Sequence, residues 1–205
     1  MLTITYGSIL ATFFLASHNE RLAGEHFYTD AQTIASRIAA DYSQDLATVA
    51  GVIAALSPNN NWLRNIEDAK RLVAAYSMGG HSDAKHIKVA TYNANKFKAL
   101  RILSGESPLD VLGGLKVRAF YGCIMGQDAV CVDGHAYSIW QGQRIPTTKT
   151  PKISAKLYAA IESDYREATL QVNTILQASY TPAQIQAVTW LVWRRLTAGM
   201  REARK

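Results

Sequence analysis

The chain has 205 residues, 48% of them hydrophobic and 19% charged, which is the balance of an ordinary globular protein with a core large enough to stand without staples. Its two cysteines, Cys123 and Cys131, exclude a disulfide framework and a four-thiolate cluster. The net charge of +6 permits attraction to phosphates, and the apolar run Ile9 to Leu15 is too short to span a bilayer and has no positive residue before it, so it reads as a core helix of a cytoplasmic protein.

Helical signals dominate in chain order. Thr29 and Asp30 are placed to cap a helix to about Tyr42, with Ala31, Ile34, Ile38 and Ala39 on one face. Asp45 to Leu56 is almost wholly apolar and reads as a buried helix that Pro58 follows. Trp62 to Ser77 repeats apolar residues at Ile66, Ala69, Leu72, Val73 and Tyr76, and Gly79 and Gly80 should end it. Tyr92 to Leu103 is a further helix, closed by Gly105. Ser107 and Pro108 open a short one through Leu112.

Gly113 and Gly114 then make a tight turn into a helix from Lys116 to Met125, bounded by Gly126. Ala129 to Val132 is the one short β-like run, better read as a connector. Asp133 to Trp140 is helical, ended by Gly142, and Gln143 to Ile153 is an ordered loop. Ser154 to Ser163 and Tyr165 to Ala178 read as two helices. Thr181 and Pro182 start the last, with Ile185, Val188, Trp190, Leu191 and Val192 as apolar positions. The expected class is all-α, with short connections.

Positive charge gathers in three places: Lys96, Lys98, Arg101, Lys116 and Arg118; Arg144, Lys149, Lys152 and Lys156; and the tail Arg194, Arg195, Arg201, Arg204 and Lys205. Charge alone describes a solvated surface as well as a phosphate-binding one.

The stretch from Asp110 to Gly142 carries chemistry. A glycine turn between helices exposes backbone N–H groups that bind phosphate without reading sequence. Lys116 lies at the positive start of its helix near other cations, which favours the neutral, nucleophilic amine. Asp133 at a helix start is held rigid and ionised by backbone donors. Cleaving an N-glycosidic bond develops positive charge on the sugar, and a fixed carboxylate stabilises that charge or takes a proton from an attacking amine.

Gly114-Leu115-Lys116 followed by Cys131-Val132-Asp133-Gly134-His135 resembles the helix-hairpin-helix DNA glycosylase superfamily, which includes endonuclease III and 8-oxoguanine glycosylase. The resemblance implies a two-lobed helical fold with the active site in the cleft between lobes. Residues 1–205 would form one such domain. Residues 45–142 would be a six-helix-barrel-like core with its hairpin at 108–125, and 1–44 and 143–205 would complete the second lobe. It implies Lys116 as the Schiff-base nucleophile at C1′ and Asp133 as its electrostatic and proton-handling partner.

A second match is Ala54 to Arg64, AALSPNNNWLR. By resemblance, Asn59, Asn60 and Asn61 would fill the gap left by a flipped nucleotide, with Arg64 or Trp62 nearby. Gly113, Gly114, Arg118 and His135 would complete the DNA-binding set. The hairpin departs from the family in reading Leu112-Gly113-Gly114-Leu115, and no four-cysteine cluster follows. The ending QAVTWLVWRR resembles small proteins encoded by tailed phages.

The resemblance thus implies a bifunctional DNA glycosylase and AP lyase, without metal or cofactor, acting as a monomer on double-stranded DNA with a damaged or modified base in the bacterial cytoplasm. Two alternatives stand beside it: an enzyme removing or exchanging a hypermodified base in phage DNA or nucleotides, and a non-catalytic DNA-binding module. The base-stacking aromatic stays open among Tyr121, Tyr137, Trp140, Trp190 and Trp193, of which the two on the last helix also read as core.

Overall fold

A computed structural model describes residues 6–146 and 149–202, with the side chains of 199–202 left aside. The side chains of Arg201, Arg204 and Lys205, and Thr147 and Thr148 within the Gln143–Ile153 loop, therefore lie outside the described residues. The described chain is all-helical and has no strand. None of its helices is long and apolar enough to cross a membrane. It divides into two compact units: unit 1 comprises Met1–Tyr28 and Asp128–Lys205, and unit 2 comprises Thr29–Gln127.

In unit 1, α1 (Gly7–Phe14), the first part of α2 (His18–Asp41), α8 (Gly134–Trp140), α9 (Ala155–Leu176) and α10 (Pro182–Glu202) surround Ile9, Phe13, Ile139, Ile161, Tyr165, Ile185, Val188 and Val192, all fully buried. Helix α10 packs on α1, α8 and α9. The Ser8 hydroxyl lies 2.7 and 2.8 Å from the carbonyls of Ile139 and Trp140 and so serves the last turn of α8.

The start of α2 departs from the sequence expectation. Thr29 and Asp30 lie inside the helix, which begins eleven residues earlier, at His18. Ser17 and Glu20 form a capping box: Ser17 N–H donates to Glu20 Oε2 at 2.9 Å, and Glu20 N–H to Ser17 Oγ at 3.3 Å. That reciprocal pair satisfies two donors that any helix start orphans, and the helix runs through Thr29 without needing a cap there.

The expected break near Asp164 is also absent, and α9 is one helix capped by Ser154. Asp164 is accommodated by its partner, since Trp140 Nε1 donates to its Oδ2 at 2.6 Å.

The run Ala129–Val132 is a buried connector without strand pairing. The Tyr158 hydroxyl serves the backbone of this run, donating to Val130 O at 2.6 Å and accepting from Val132 N–H at 3.1 Å. Buried peptide groups need such partners when no ladder supplies them.

In unit 2, α3 (Leu46–Leu56) is the central element. Every residue from Val49 to Leu56 is buried, and α4 (Trp62–Ala84), α5 (Asn93–Leu103), α6 (Pro108–Val111) and α7 (Leu115–Ile124) pack on it. This explains why the α3 sequence is apolar all round. Its N-cap is Asp45, which accepts from Thr48 N–H at 2.7 Å. Gly80 interrupts α4 at φ 66°, where the sequence places a stop, and the chain then resumes helix to Ala84.

Candidate functional site

The predicted site residues fall into two sets, one in each unit. In unit 1, Asp133 is the N-cap of α8. Its Oδ1 accepts from His135 N–H at 2.9 Å and from Ala136 N–H at 2.8 Å. Asp133 is half-buried, and among the described residues Oδ2 accepts no hydrogen bond. The carboxylate is thus fixed by one oxygen and presents the other. His135 reaches Asp133 through its backbone, and its ring is half-buried.

Behind Asp133 lies a side chain the sequence reading did not single out. Tyr165 is fully buried, with its hydroxyl 3.5 Å from Thr189 Oγ1. Burial pushes its phenol far up. The Thr189 contact opposes that, and the charges of Asp133 and Cys131 add to it. The buried Tyr165 hydroxyl is therefore held in its neutral form at neutral pH.

In unit 2, the turn Leu112-Gly113-Gly114 leads into α7 as the sequence predicts. Gly114 is the N-cap at φ 79° and ψ 141°, a conformation that side chains resist, and no side chain caps the helix start. Gly113 faces Lys98 of α5: a Cβ added there would lie 3.4 Å from Lys98 Nζ. Arg118 donates from Nε to Leu112 O at 2.7 Å, which ties α7 back to the turn. Lys116 lies in the first turn of α7, half-buried. The turn therefore gathers exposed backbone donors, Lys98, Lys116 and Arg118, an arrangement suited to a phosphate group.

The asparagine run is resolved into three different jobs. Asn61 caps α4, accepting from Leu63 N–H at 3.0 Å. Asn60 Nδ2 lies 3.3 Å from both Leu56 O and Asp68 Oδ2. Asn59 is exposed, at φ 54°, as is the capping Asn61. Trp62, at the start of α4, packs edge-on against Phe120 of α7, with centroids 6.2 Å apart.

Asp68 organises this region and was not among the sequence candidates. Its side chain has no exposure, yet it accepts from Arg64 Nε at 3.2 Å, Arg71 Nη2 at 2.5 Å, Ala90 N–H at 2.7 Å and Asn60 Nδ2. Burial would raise its pKa. Donation from Ala90, Arg71 and Asn60, with the charge of Arg64, outweighs burial and holds the carboxyl below the usual aspartate range. Two predicted DNA contacts, Asn60 and Arg64, thus share one buried anchor. The signal was present in the sequence: Asn65 and Asp68 fall on the apolar stripe of α4, where a polar residue needs a partner.

The aromatic candidates also find places. Tyr121 is buried, and burial and the nearby Asp45 charge push its phenol up. Trp140 is held by Asp164, with the Tyr137 ring 6.1 Å away. Trp190 lies between Phe27, at 5.7 Å, and the Arg194 guanidinium, at 4.5 Å. Arg195 is paired with Glu20 at 2.7 Å. Among the described residues, no group of three His, Cys, Asp or Glu is gathered as a metal site requires.

A family model described as a family of unknown function, DUF7178, matches residues 3–197. No curated protein and no solved structure matches the chain. With nearly its whole length matched, the chain belongs to the family of unknown function DUF7178.

Proposed function

We propose that this protein is a DNA glycosylase with AP-lyase activity. It excises a damaged or modified base from double-stranded DNA by flipping the nucleotide, with Lys116 attacking C1′ and Asp133 stabilising the developing positive charge. The observation that carries the reading is the mounting of Asp133. Two backbone N–H groups hold Oδ1, and Oδ2 accepts nothing from the described chain. A carboxylate aimed before the charge develops costs no reorganisation during reaction.

The hairpin supports the same reading, since its uncapped helix start and its cations suit one DNA phosphate. Asn59 and Asn61 are the members of the asparagine run that are exposed for base edges, with Asn60 and Arg64 joined through Asp68. The finer architecture belongs to the proposal as well: a two-lobed helix-hairpin-helix fold with the active site in its cleft, and a monomer acting in the cytoplasm of a bacterial or phage-infected cell.

In this mechanism Lys116 Nζ forms a bond to C1′ as the N-glycosidic bond breaks and the base leaves with its electron pair. Asp133 takes the proton that the amine sheds. The nitrogen lone pair then breaks the C1′–O4′ bond while Asp133 returns its proton to O4′, and the resulting Schiff base loses a proton from C2′ as the 3′ phosphate departs by β-elimination. Water then releases Lys116.

Mass spectrometry of bases released from a panel of modified duplexes, run beside Asp133→Asn, tests the reading. Borohydride trapping run beside Lys116→Gln tests the nucleophile. Release of a base that depends on Asp133, with a trapped adduct that depends on Lys116, is the expected result. No release from any substrate overturns the glycosylase. Release without an adduct overturns the lyase step alone.

A further inference from the structure

We propose that the four cations Arg144, Lys149, Lys152 and Lys156 of unit 1 form a second contact surface for the DNA phosphate backbone, in addition to the hairpin of unit 2. This rests on the reading of the protein as acting on DNA. Between Asp133 and Glu162 the chain carries Arg144, Lys149, Lys152 and Lys156 and not one acidic residue. Lys149, Lys152 and Lys156 are exposed and Arg144 is half-buried.

None of these four side chains has an ion pair among the described residues, whereas Arg64, Arg71, Arg101, Arg166 and Arg195 each have an acidic partner. The acids of α9, and Asp128 ahead of α8, are themselves engaged. Asp164 accepts from Trp140, Glu162 and Asp128 share Arg166, and Glu167 accepts from Gln171. The positive charge of the segment is left to act outward.

Hydrogen bonds anchor the chain beside these cations. The Ser138 hydroxyl clamps it from α8, donating to Ile145 O at 3.1 Å. Lys149 N–H donates to Pro146 O at 2.8 Å, and Thr150 Oγ1 donates to the same carbonyl at 3.3 Å. Ser154 caps α9 by accepting from Leu157 N–H at 3.2 Å. Lys156 stands in the first turn of α9, where the helix dipole disfavours a cation and no acid offsets it, so its position does nothing for the helix.

The residue types select the partner. Lysine is a point charge that grips phosphate without reading bases, and three of the four cations are lysines. The segment carries no aromatic residue to stack on unpaired bases and no large aliphatic or aromatic side chain that is exposed for insertion among lipids. A duplex backbone needs neither.

Salt dependence of duplex binding tests the surface. Each phosphate contact contributes about −0.9 to the slope of log K against log salt. Replacing all four with glutamine (R144Q, K149Q, K152Q, K156Q) should shrink that slope by about 3.6 and leave thermal stability unchanged. A control removes the same charge at four exposed positions of unit 2 (R37Q, K70Q, K85Q, K88Q) and should shrink it by less than about 1.

An unchanged slope in the first variant overturns the proposal, as does an equal loss in the control. Segment-dependent binding to phosphatidylserine vesicles with an unchanged duplex slope also overturns it. Wild type that binds through this surface but releases no base leaves the surface standing and removes the glycosylase. Wild type that releases base, with the variant slope unchanged, does the reverse.

Discussion

Arg64 donates from Nε to Oδ1 of Asp68 at 3.2 Å, which joins a half-exposed cation to a carboxylate with no solvent exposure. Ala90 N–H and Asn60 Nδ2 meet the same carboxylate. Removing it in Asp68→Ala takes a charged acceptor from Ala90 N–H and Asn60 Nδ2, while Arg64 and Arg71 can turn to water. The expected loss is about 2–3 kcal/mol in urea unfolding. A loss under about 0.5 kcal/mol would show that the hub is not formed.

Acid should act on the same group. The Asp68 pKa is held low in the folded state, so its contribution is fully present above the unfolded value near 4 and is lost as pH falls through the folded one. Asp45, lowered by the Thr48 side-chain and backbone donors, and Glu20, lowered by Arg195 and Ser17, shift the same way. Stability measured between pH 6 and pH 2 should therefore fall chiefly below about pH 4, and Asp68→Asn should flatten that fall.

Adjacent glycines should respond differently. Gly114→Ala forces a side chain onto φ 79°, and should cost about 1–3 kcal/mol. Gly113→Ala places a methyl group 3.4 Å from the mobile end of Lys98, and should stay within about 0.5 kcal/mol. Equal costs in thermal unfolding would refute the assigned turn.

Asparagine caps a helix about as well as aspartate, so Asp133→Asn separates charge from capping. It should leave the melting temperature unchanged while base release falls by about 10²–10³. Asp133→Ala should lose release to the same degree and also about 1 kcal/mol of stability.

The Tyr158 hydroxyl is the partner of two buried peptide groups, Val130 O and Val132 N–H. Tyr158→Phe keeps the ring and orphans both, at a cost of about 2–3 kcal/mol in urea unfolding. A near-neutral result would mean that the connector finds other partners.

Local patterns carried most of the helices. Periodicity and caps placed α3, α5, α6, α7, α8 and α10 to within a residue or two, and Asp133 was legible as an N-cap because an aspartate there precedes a helical run. The start of α2 was missed although Ser17 and Glu20 spell a capping box, because Thr29 and Asp30 offered a competing signal closer to the apolar stripe. Asp164 invited a break in α9 that only its bond to Trp140, 24 residues earlier, explains. Lys98 beside Gly113, and Asn60 and Arg64 on Asp68, depend on which helices pack together, and that is not written in any local window. The asparagine run shows the same limit: composition could not tell Asn61, spent on a cap, from Asn60, joined to Asp68.

The division of the chain has a consequence for synthesis. Unit 2 is one uninterrupted stretch, Thr29–Gln127, whereas unit 1 is assembled from segments on either side of it. On a ribosome, α3 meets every helix that packs on it once α7 has emerged. The early α1 must wait for α8, α9 and α10 before its buried Ile9 and Phe13 are covered. The nascent chain should therefore fold from its middle outward, and the N-terminal helix is the segment most in need of chaperone cover while the rest is made.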